Sequence, residues 1–456
     1  MNSRRKEVGE KKLLLVFSLS PLLLLFLSSP LLLLFLFSPL APLFLSSPLL
    51  PLSSPLLAEA GQQRPTFRSS ASLVEVDIIV KDKDGRFVSG LTADDFEVLE
   101  EGKPQPIQHF YLVTQSPTTA KEPRPDALLP RSPDQTDRRV FLLFFDSDHL
   151  SKEVIARVKQ SAMTFLGSEF SPRDLGGVFA NGRLWHGHLT TDRQELLDGV
   201  RAVEPAFETS GSRRAQLLEY PRIESEHDAA RIESGDQRLL EGIADENCMK
   251  ERQNCDLEGG REYVVVKLQR KARDFVSDAR RAAAATLDML TYLSRNLAPL
   301  EGRKTIVMLS EGFFTADVRS ELPRVAGQAS RAGITIYTVD ARGTQGAGGR
   351  IPPDATIAMG TFSLHGDSSS EGLDILASQT GGIAFRHSDN LASELAAVAA
   401  DTSTYYVLAY APEDVTLDGK YRAIELKTKW AGLTVRARRG YVASPLPAPR
   451  AVRGSR

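Results

Sequence analysis

The chain has 456 residues, long enough for two or three domains, and its hydrophobic content of 42% is ordinary for a globular protein. It carries 56 basic and 58 acidic residues, a formal net charge of −2, and this mixed balance gives no electrostatic case for binding nucleic acid. Residues 1–60 hold five of the basic and three of the acidic side chains, so a chain without them would still be only mildly acidic.

The N-terminal segment has the pattern of an export signal. Residues 13–57 carry no charge, and a Ser-Pro pair recurs every nine residues, at Pro21, Pro30, Pro39 and Pro48. The basic start, the apolar run and the small residues Ala58 and Ala60 predict a signal peptide cleaved after Ala60. Because roughly 20 apolar residues can span a bilayer, an uncleaved anchor through residues 13–57 is the alternative, although the prolines disfavour a long helix. We expect an exported protein that is periplasmic, secreted or envelope-associated.

Cysteine usage fits an exported chain. There are two cysteines, Cys248 and Cys255. Two cysteines this close in an exported protein favour a small local disulfide over a metal site. Two free thiols in a flexible insertion are the alternative.

The first predicted structural unit is small and antiparallel. Residues 73–113 contain three alternating strand patterns separated by the turn sequences Asp82–Gly85 and Glu101–Pro104. Residues 114–137 are rich in proline and polar residues and predict a linker.

The middle of the chain, residues 138–400, alternates buried strands with amphipathic helices, which predicts a doubly wound, mostly parallel sheet covered on both faces. Residues 204–260 lose this periodicity and predict an insertion of short helices and loops that contains both cysteines.

The most informative stretch is the apolar run 140–145, which is followed at once by Asp146, Asp148 and Ser151. A strand without a polar face is buried on both sides, as in the centre of a parallel sheet. In such sheets ligands bind beyond the carboxyl ends of the strands, where the strand order reverses. The sequence therefore predicts a site at this edge.

The C-terminal part returns to alternating strands. Residues 401–445 are expected to pair with the N-terminal β unit, so that one β domain is built from both chain ends, and residues 446–456 form a tail. Arg436, Arg438 and Arg439 alternate along a predicted strand and indicate a solvated face, with a patch for an anionic partner as the alternative.

The order of these elements, with Val140–Asp146, Lys304–Gly312 and Gly333–Asp340 as anchors, resembles the von Willebrand factor type A domain. It most resembles the exported acidobacterial group of type A-like proteins, whose pattern Leu91–Val98 and Ser403–Tyr410 also match. The resemblance covers residues 73–445 and implies a Rossmann-like α/β fold.

Type A domains commonly bind a divalent cation such as Mg²⁺ through an Asp-x-Ser-x-Ser sequence, a threonine from a later loop and an aspartate that ends a later strand. Here Asp146 matches the first position, Asp148 and Leu150 replace the serines, Ser151 is one place late and Glu311 replaces the last aspartate. Thr209 and Ser212 are candidates for the threonine. The resemblance thus implies a degenerate site of Asp146, Asp148, Ser151 and Glu311 that binds Mg²⁺ or another divalent cation, or none. The alternative is that Asp146 and Glu311 cap strand ends.

Two other groups of residues are weaker candidates for a metal-binding or catalytic site. His186 and His188 would lie on one face of a predicted strand at 184–189, as zinc ligands can, but the sequence nominates no third ligand. His149 beside Asp148 could act as a base, yet the sequence shows no Gly-x-Ser-x-Gly nucleophile and no Walker or dinucleotide-binding motif.

Three functions follow as hypotheses. The first is an exported module that binds another protein or an envelope component, with or without a cation. The second is a metal-free structural component of an envelope complex. The third is a hydrolase that uses Asp146, Asp148, His149 and Glu311, for which no nucleophile–base pair can be identified. No enzymatic activity is expected, and fold alone does not identify the partner.

Overall fold

The structure is a computed structural model. It describes residues 73–114, 138–205, 213–257, 259–300, 302–313, 315, 318–343, 370–386 and 388–445. The predicted signal peptide or anchor in residues 1–60, nearly all of the predicted linker and the tail lie outside the described residues.

The described residues form strands and helices that alternate in the middle of the chain. The strands are β1 (Val74–Lys81), β2 (Phe96–Glu100), β3 (Lys103–Gln105), β4 (Ile107–Thr114), β5 (Val140–Phe145), β6 (Leu175–Ala180), β7 (Arg183–Leu184), β8 (Lys304–Ser310), β9 (Ile334–Asp340), β10 (Ala384–Phe385), β11 (Thr404–Tyr410), β12 (Tyr421–Thr428), β13 (Thr434–Ala437) and β14 (Gly440–Val442). The helices are α1 (Lys152–Ser168), α2 (Arg193–Arg201), α3 (Arg213–Leu218), α4 (Glu226–Glu233), α5 (Gln237–Lys250), α6 (Arg252–Leu257), α7 (Arg261–Leu297), α8 (Leu322–Arg331), α9 (Glu371–Thr380) and α10 (Leu391–Ser403).

A six-stranded, mostly parallel sheet organises the middle of the chain. Its spatial order is β10-β9-β8-β5-β6-β7, and β7 runs antiparallel to its neighbour whereas the other pairs are parallel. Every residue of β5, β8 and β9 is buried, as expected for central strands with helices on both faces. Because the chain leaves β5 towards β6 on one side and later returns to β8 on the other, the strand order reverses between β5 and β8.

Successive side chains of β5 enter different cores. Phe141, Leu143 and Phe145 pack with α1, α2 and α10. Leu142 and Phe144 pack with the C-terminal half of α7 and with α8 and α9. This alternation follows from the two-residue period of a strand, and it makes the sheet the middle of three layers.

Helix α7 belongs to two cores. Up to Ala279 its buried side chains pack with helices α3–α6 of the insertion, whereas from Ala283 onward they pack on the sheet. At 1.5 Å per residue, its 37 residues give a length of roughly 55 Å. The insertion is thus a helical lobe that is built on half of one long helix.

Strands from both chain ends form two antiparallel sheets around a second core. The spatial orders are β13-β1-β11-β4 and β14-β12-β2-β3. Strand β1 pairs with β11 and β13, and β2 pairs with β12, so each sheet contains N-terminal and C-terminal strands. Alternate residues of β1, among them Val76 and Ile78, are fully buried between the two sheets.

The expected solvated arginine face at the C-terminus is wrong for two of its three residues. Arg436 donates to the Asp401 carboxylate and to the Gly381 carbonyl. Arg438 donates to the carbonyls of Ser330 and Glu75. Asp401 lies at the end of α10, so these contacts join the β domain to the α/β part of the chain, a relation between distant segments that strand alternation cannot reveal.

Candidate functional site

The backbone places Asp146 where β5 ends beside β8. The Asp146 amide donates to the Leu309 carbonyl at 3.0 Å, and the His149 amide donates to the Asp146 carbonyl at 2.8 Å within a short 3₁₀ turn. Because Phe145 pairs with Leu309 in parallel register, Ser310 follows directly beside Asp146. Asp146, which the sequence predicts at the carboxyl edge of the sheet, therefore lies where the strand order reverses.

The Asp146 carboxylate is surrounded by hydrogen-bond donors. Thr286 Oγ1 donates to Oδ1 at 2.8 Å, and Ser310 Oγ donates to Oδ2 at 2.8 Å. His149 Nδ1 lies 3.0 Å from Oδ2. All four side chains are buried. Helix α7, strand β8 and the 3₁₀ turn thus each supply one group to the same carboxylate.

The His149 imidazole lies between two oxygens of this cluster. Its Nδ1 is also 3.3 Å from Thr286 Oγ1, and its ring centroid is 5.7 Å from that of Phe313. Its Nε2 is buried and has no hydrogen-bond partner among the described residues. The imidazole therefore presents one nitrogen to the polar cluster and leaves the other without a bond in the described part of the chain.

Electrostatics favour an ionised Asp146. Burial alone would raise the pKa of this carboxyl group. The electrostatic interaction with His149 and the hydrogen bonds from His149, Thr286 and Ser310 outweigh burial and hold the pKa of Asp146 below its usual value. The cluster is thus a desolvated carboxylate that is stabilised by neighbouring protein groups.

Ser151 and Glu311 contact each other and make no hydrogen bond to Asp146. Ser151 Oγ donates to Glu311 Oε1 at 2.5 Å, and the Ser151 amide reaches the same oxygen at 3.3 Å. Burial raises the pKa of Glu311, although the two Ser151 bonds and the charge of Arg342 oppose that rise. The pair connects the end of β8 to the start of α1, because Ser151 is the N-cap residue of that helix.

Asp148 stands apart from both groups. It is partly exposed, and its side chain makes no hydrogen bond or ion pair with another described residue. The four residues nominated as metal ligands thus divide into the buried Asp146, the bonded pair of Ser151 and Glu311, and the partly exposed Asp148. In the described part of the chain, no group of three or more His, Cys, Asp or Glu side chains is arranged to hold a metal ion.

Thr286 is a site residue that the sequence pattern does not predict, whereas the predicted candidates Thr209 and Ser212 lie outside the described residues. Thr286 follows four alanines in α7 and falls between the buried positions Ala283 and Leu290. A fully buried hydroxyl on the apolar face of a helix needs a hydrogen-bond partner. That position is the signal that could have identified it.

A second polar cluster, which the sequence pattern does not predict either, lies at the end of β9. Arg342 donates to both oxygens of Asp340, at 2.9 and 2.6 Å, and to Ser370 Oγ at 2.5 Å. Glu394 is buried nearby, and its Oε2 has no hydrogen-bond partner among the described residues. Burial and repulsion from Asp340 raise the pKa of Glu394 to about 7, although the Ser388 hydroxyl opposes that rise.

The predicted strand at 184–189 is wrong. Strand β7 ends at Leu184, and Trp185–Gly187 form a 3₁₀ turn in which His186 has a φ of 51°. A left-handed residue and the following left-handed Gly187 stop the strand, so His186 and His188 do not share a strand face.

The cysteines lie in the helical lobe. Cys248 in α5 and Cys255 in α6 form a disulfide with a Cα–Cα distance of 5.1 Å. Cys255 is buried among the apolar side chains of the lobe.

The described residues include no helix that is both long and apolar enough to cross a bilayer. The segment 13–57, for which membrane anchoring was the alternative, lies outside them.

No family model matches the chain, and no curated protein matches it in sequence. Among solved structures, an aerotolerance-related membrane protein from Bacteroides fragilis is 14% identical, with a TM-score of 0.28, over 58% of this chain and 98% of that one. A conserved hypothetical protein, BatB, from Bacteroides thetaiotaomicron is 13% identical, with a TM-score of 0.29, over 58% of this chain and 96% of that one.

Proposed function

We propose that the protein is an exported binding module of the von Willebrand factor type A kind, which engages another protein or an envelope component at the carboxyl edge of its parallel sheet. The proposal combines the export pattern of residues 1–60 with the sheet order, in which the edge between β5 and β8 is where α/β proteins bind their ligands. The neighbouring Asp148 is partly exposed and bonds to no other described residue, so it is available to a partner.

We further propose that binding is independent of a cation. The observation that carries this is the position of His149, whose Nδ1 lies 3.0 Å from Asp146 Oδ2 and 3.3 Å from Thr286 Oγ1. A Mg²⁺ ion shared by these two oxygens would need the same space, and it requires near-octahedral oxygen ligands. The hydroxyls of Thr286 and Ser310 already satisfy the carboxylate, which supports a site that is stable without a metal.

An Asp148→Arg variant tests whether a partner binds at this edge of the sheet. The wild-type protein and the variant would be cross-linked to an envelope extract, with and without EDTA, and the captured proteins compared. We expect capture that resists EDTA and is lost in Asp148→Arg. Asp94→Arg is the matched control, because Asp94 is an exposed acid in the N-terminal β unit. Capture that EDTA abolishes would support a cation-dependent site instead, and capture that is indifferent to Asp148 would favour the structural role.

A hydrolase is the second candidate, and one observation favours it. The Asp146 carboxylate faces His149 Nδ1 at 3.0 Å, as an orienting acid faces a catalytic base. Against it, His149 Nε2 is buried, and no described hydroxyl or thiol bonds to it. Turnover on an esterase, phosphatase or glycosidase substrate that is abolished by Asp146→Ala would revive this candidate.

A further inference from the structure

The edges of the three sheets differ in how they are protected from pairing with another chain. Strands β7 and β10 have two residues each, and β3 has three, among them Lys103 and Pro104. Strand β14 also has three residues, and it lies so close to α8 that a Cβ at Gly327 would approach the Val442 side chain to 2.9 Å. Strand β13 has four residues, and its Arg436 side chain is engaged in an ion pair. Short length, charge, proline and a covering helix are the usual devices that keep sheet edges from pairing with other chains.

Among the described strands, β4 is an edge strand with neither a short length nor an acid, lysine, arginine or proline to protect it. It spans eight residues, Ile107–Thr114, and each of them is partly or fully exposed. Strand β11 pairs with one side of β4, and no described strand pairs with its other side. Because alternate residues of an antiparallel strand bond to opposite neighbours, about half of the backbone N–H and C=O groups of β4 point away from β11.

One irregularity interrupts the pairing of β4 with β11, and it lies at the start of β4. Tyr410 is opposite Ile107 and Ala409 is opposite His109, so one residue of β4 is extra at that point. From His109 to Thr114 the register is regular. A bulge can blunt a sheet edge, but this one leaves six consecutive residues as a regular ladder.

The side chains of this ladder are apolar on both faces of the sheet. Phe110 and Leu112 pack against the core between the two antiparallel sheets, whereas Val113 belongs to a separate cluster with Tyr405 on the opposite face. Tyr111 is 40% exposed and is one of the large apolar side chains that remain at the surface. A strand that adds to this edge would therefore gain side-chain contacts as well as backbone hydrogen bonds.

The chain that follows β4 is a poor candidate for the strand that would complete this edge. Residues 115–137 contain five prolines, at positions 117, 123, 125, 130 and 133. Proline has no N–H group and is excluded from the interior of a strand that is paired on both sides. This composition favours a strand from another molecule as the partner of β4.

A second copy of β4 has the composition that this edge accepts. If two β4 strands pair antiparallel, the ladder from His109 to Thr114 places no acid, lysine or arginine of one copy opposite a like charge of the other. Aromatic and β-branched side chains would face one another across the pair, and these are favourable cross-strand combinations. Because the same strand serves both copies, the contact is two-fold symmetric and closes at two chains.

We propose that β4 is a dimerisation strand, which pairs antiparallel with β4 of a second copy and joins the two β13-β1-β11-β4 sheets into one. This surface lies in the β domain and includes none of the residues at the carboxyl edge of the parallel sheet, so the dimer is independent of the function proposed above. One strand pair is smaller than a standard interface of about 1,200–2,000 Å², and we therefore expect a reversible dimer with a dissociation constant of about 1–100 µM.

Sedimentation equilibrium tests the dimer, with protein purified from the envelope or medium of cells that express the full chain. The weight-average mass of the wild type should rise with concentration towards twice that of the monomer. Tyr111→Lys places a charge on the ladder, as natural edge strands do, and should weaken the dimer by about tenfold or more. Tyr111→Phe should dimerise like the wild type. Tyr292→Lys is the matched control, because Tyr292 is an exposed tyrosine of α7 outside this surface.

Cysteine trapping shows where the two copies meet. Tyr111 lies next to the middle of the ladder from His109 to Thr114, so a two-fold pair brings the two copies of position 111 close together. Tyr111→Cys should form a disulfide-linked dimer on a non-reducing gel. Tyr292→Cys should not, and neither should the wild type, in which Cys248 and Cys255 are bonded to each other.

A wild type that stays monomeric over this concentration range would overturn the proposal. Protection of the β4 amides from hydrogen exchange in that monomer would identify a segment of the same chain as the occupant of the edge. A dimer that Tyr111→Lys leaves unchanged would also overturn the proposal, because the contact would lie elsewhere. Circular dichroism should show that each variant folds, and if Tyr111→Lys does not, the trapping of Tyr111→Cys decides.

Discussion

Thr286 Oγ1 donates to Asp146 Oδ1 at 2.8 Å, although 140 residues separate the two positions in the chain. This contact joins the long helix α7 to the end of the central strand β5. It also places a hydroxyl, and no acidic group, beside this oxygen, so the buried charge of Asp146 is balanced by neutral donors and by His149. The contact explains how the aspartate at this edge of the sheet stays buried.

Thr286→Val should destabilise the protein, because it leaves Asp146 Oδ1 buried without its donor. Loss of a partner from a buried polar group costs about 1–3 kcal/mol, and more when the group is charged. Urea unfolding would measure the loss, with Thr286→Ser as the matched control that keeps the hydroxyl. A valine variant as stable as the wild type would show that the hydrogen bond contributes nothing.

Protonation of Asp146 should make the folded protein less stable in acid. Burial opposes its ionisation, but His149, Thr286 and Ser310 together lower its pKa below the usual value. A carboxyl group whose pKa is lower in the folded state contributes stability above its unfolded pKa of about 3.9, and this contribution is lost as the pH falls through the folded value.

Urea midpoints between about pH 3 and 7 check this expectation. Asp146→Asn should be less stable than the wild type at neutral pH by about 3 kcal/mol, because its amide NH₂ would face donors that now bind the carboxylate and each unsatisfied buried group costs about 1–3 kcal/mol. The difference should shrink below about pH 4. Asp148→Asn is the control, because Asp148 has no bond to another described residue to lose. A difference that does not change with pH would contradict the assignment.

The contribution of Glu394 to stability should change with pH in the direction opposite to that of Asp146. Burial and the negative charge of Asp340 at the end of β9 raise its pKa to about 7. A raised folded pKa contributes stability that is present below the unfolded value of about 4.3 and is lost as the pH rises through the folded value. Glu394→Gln should therefore be more stable than the wild type at about pH 8, by on the order of 1–3 kcal/mol.

The same comparison at about pH 4 should show little difference between Glu394→Gln and the wild type. Glu97→Gln, a change to an exposed carboxyl group of β2, is the control and should be neutral at both pH values. If Glu394→Gln did not change the stability at the higher pH either, ionisation of Glu394 in the folded protein would cost little free energy.

Arg436→Leu should lower the stability of the protein by weakening the contact between the β domain and the α/β part of the chain. Arg436 is bound to Asp401, whose side chain is 1% exposed and also accepts from Tyr337 at 2.5 Å. Removal of the arginine leaves that carboxylate with less compensation, and loss of one partner of a buried pair costs about 3–5 kcal/mol. Because the Arg436 side chain is 22% exposed, we expect the lower end of that range.

Thermal unfolding of Arg436→Leu beside Arg439→Leu measures this effect. Arg439 is exposed and forms no ion pair with another described residue, so its substitution should be nearly neutral. Similar unfolding temperatures for the two variants would mean that the Asp401 contacts do not hold the β domain to the α/β part.

Hydrophobic patterning carried most of the fold prediction. The uninterrupted apolar run of β5 predicts a central strand, and it is buried at every position. The alternating patterns near Val76 and Ile424 predict one antiparallel β domain built from both chain ends, and both residues are buried in its core. These features depend on local periods of two residues and of about 3.6 residues, which a single sequence displays.

The contacts of the site could not be read in the same way, because they join residues that are distant in sequence. Asp146 meets Thr286 across 140 positions, and Asp401 of α10 meets Arg436 of β13 across 35 positions. The prediction of a strand at 184–189 is wrong because a positive φ at His186 has no hydrophobic signature in the sequence. Spacing identifies which groups are available, whereas the fold decides which of them meet.

Calorimetric titration of the protein with Mg²⁺, Mn²⁺ and Ca²⁺, beside Asp146→Asn, tests the central proposal most directly. If His149, Thr286 and Ser310 satisfy Asp146 in place of a cation, neither protein should give a saturable heat, and neither should be stabilised against heat by the ions. Saturable binding by the wild type that is lost in Asp146→Asn would contradict the account and would establish a working cation site at this edge.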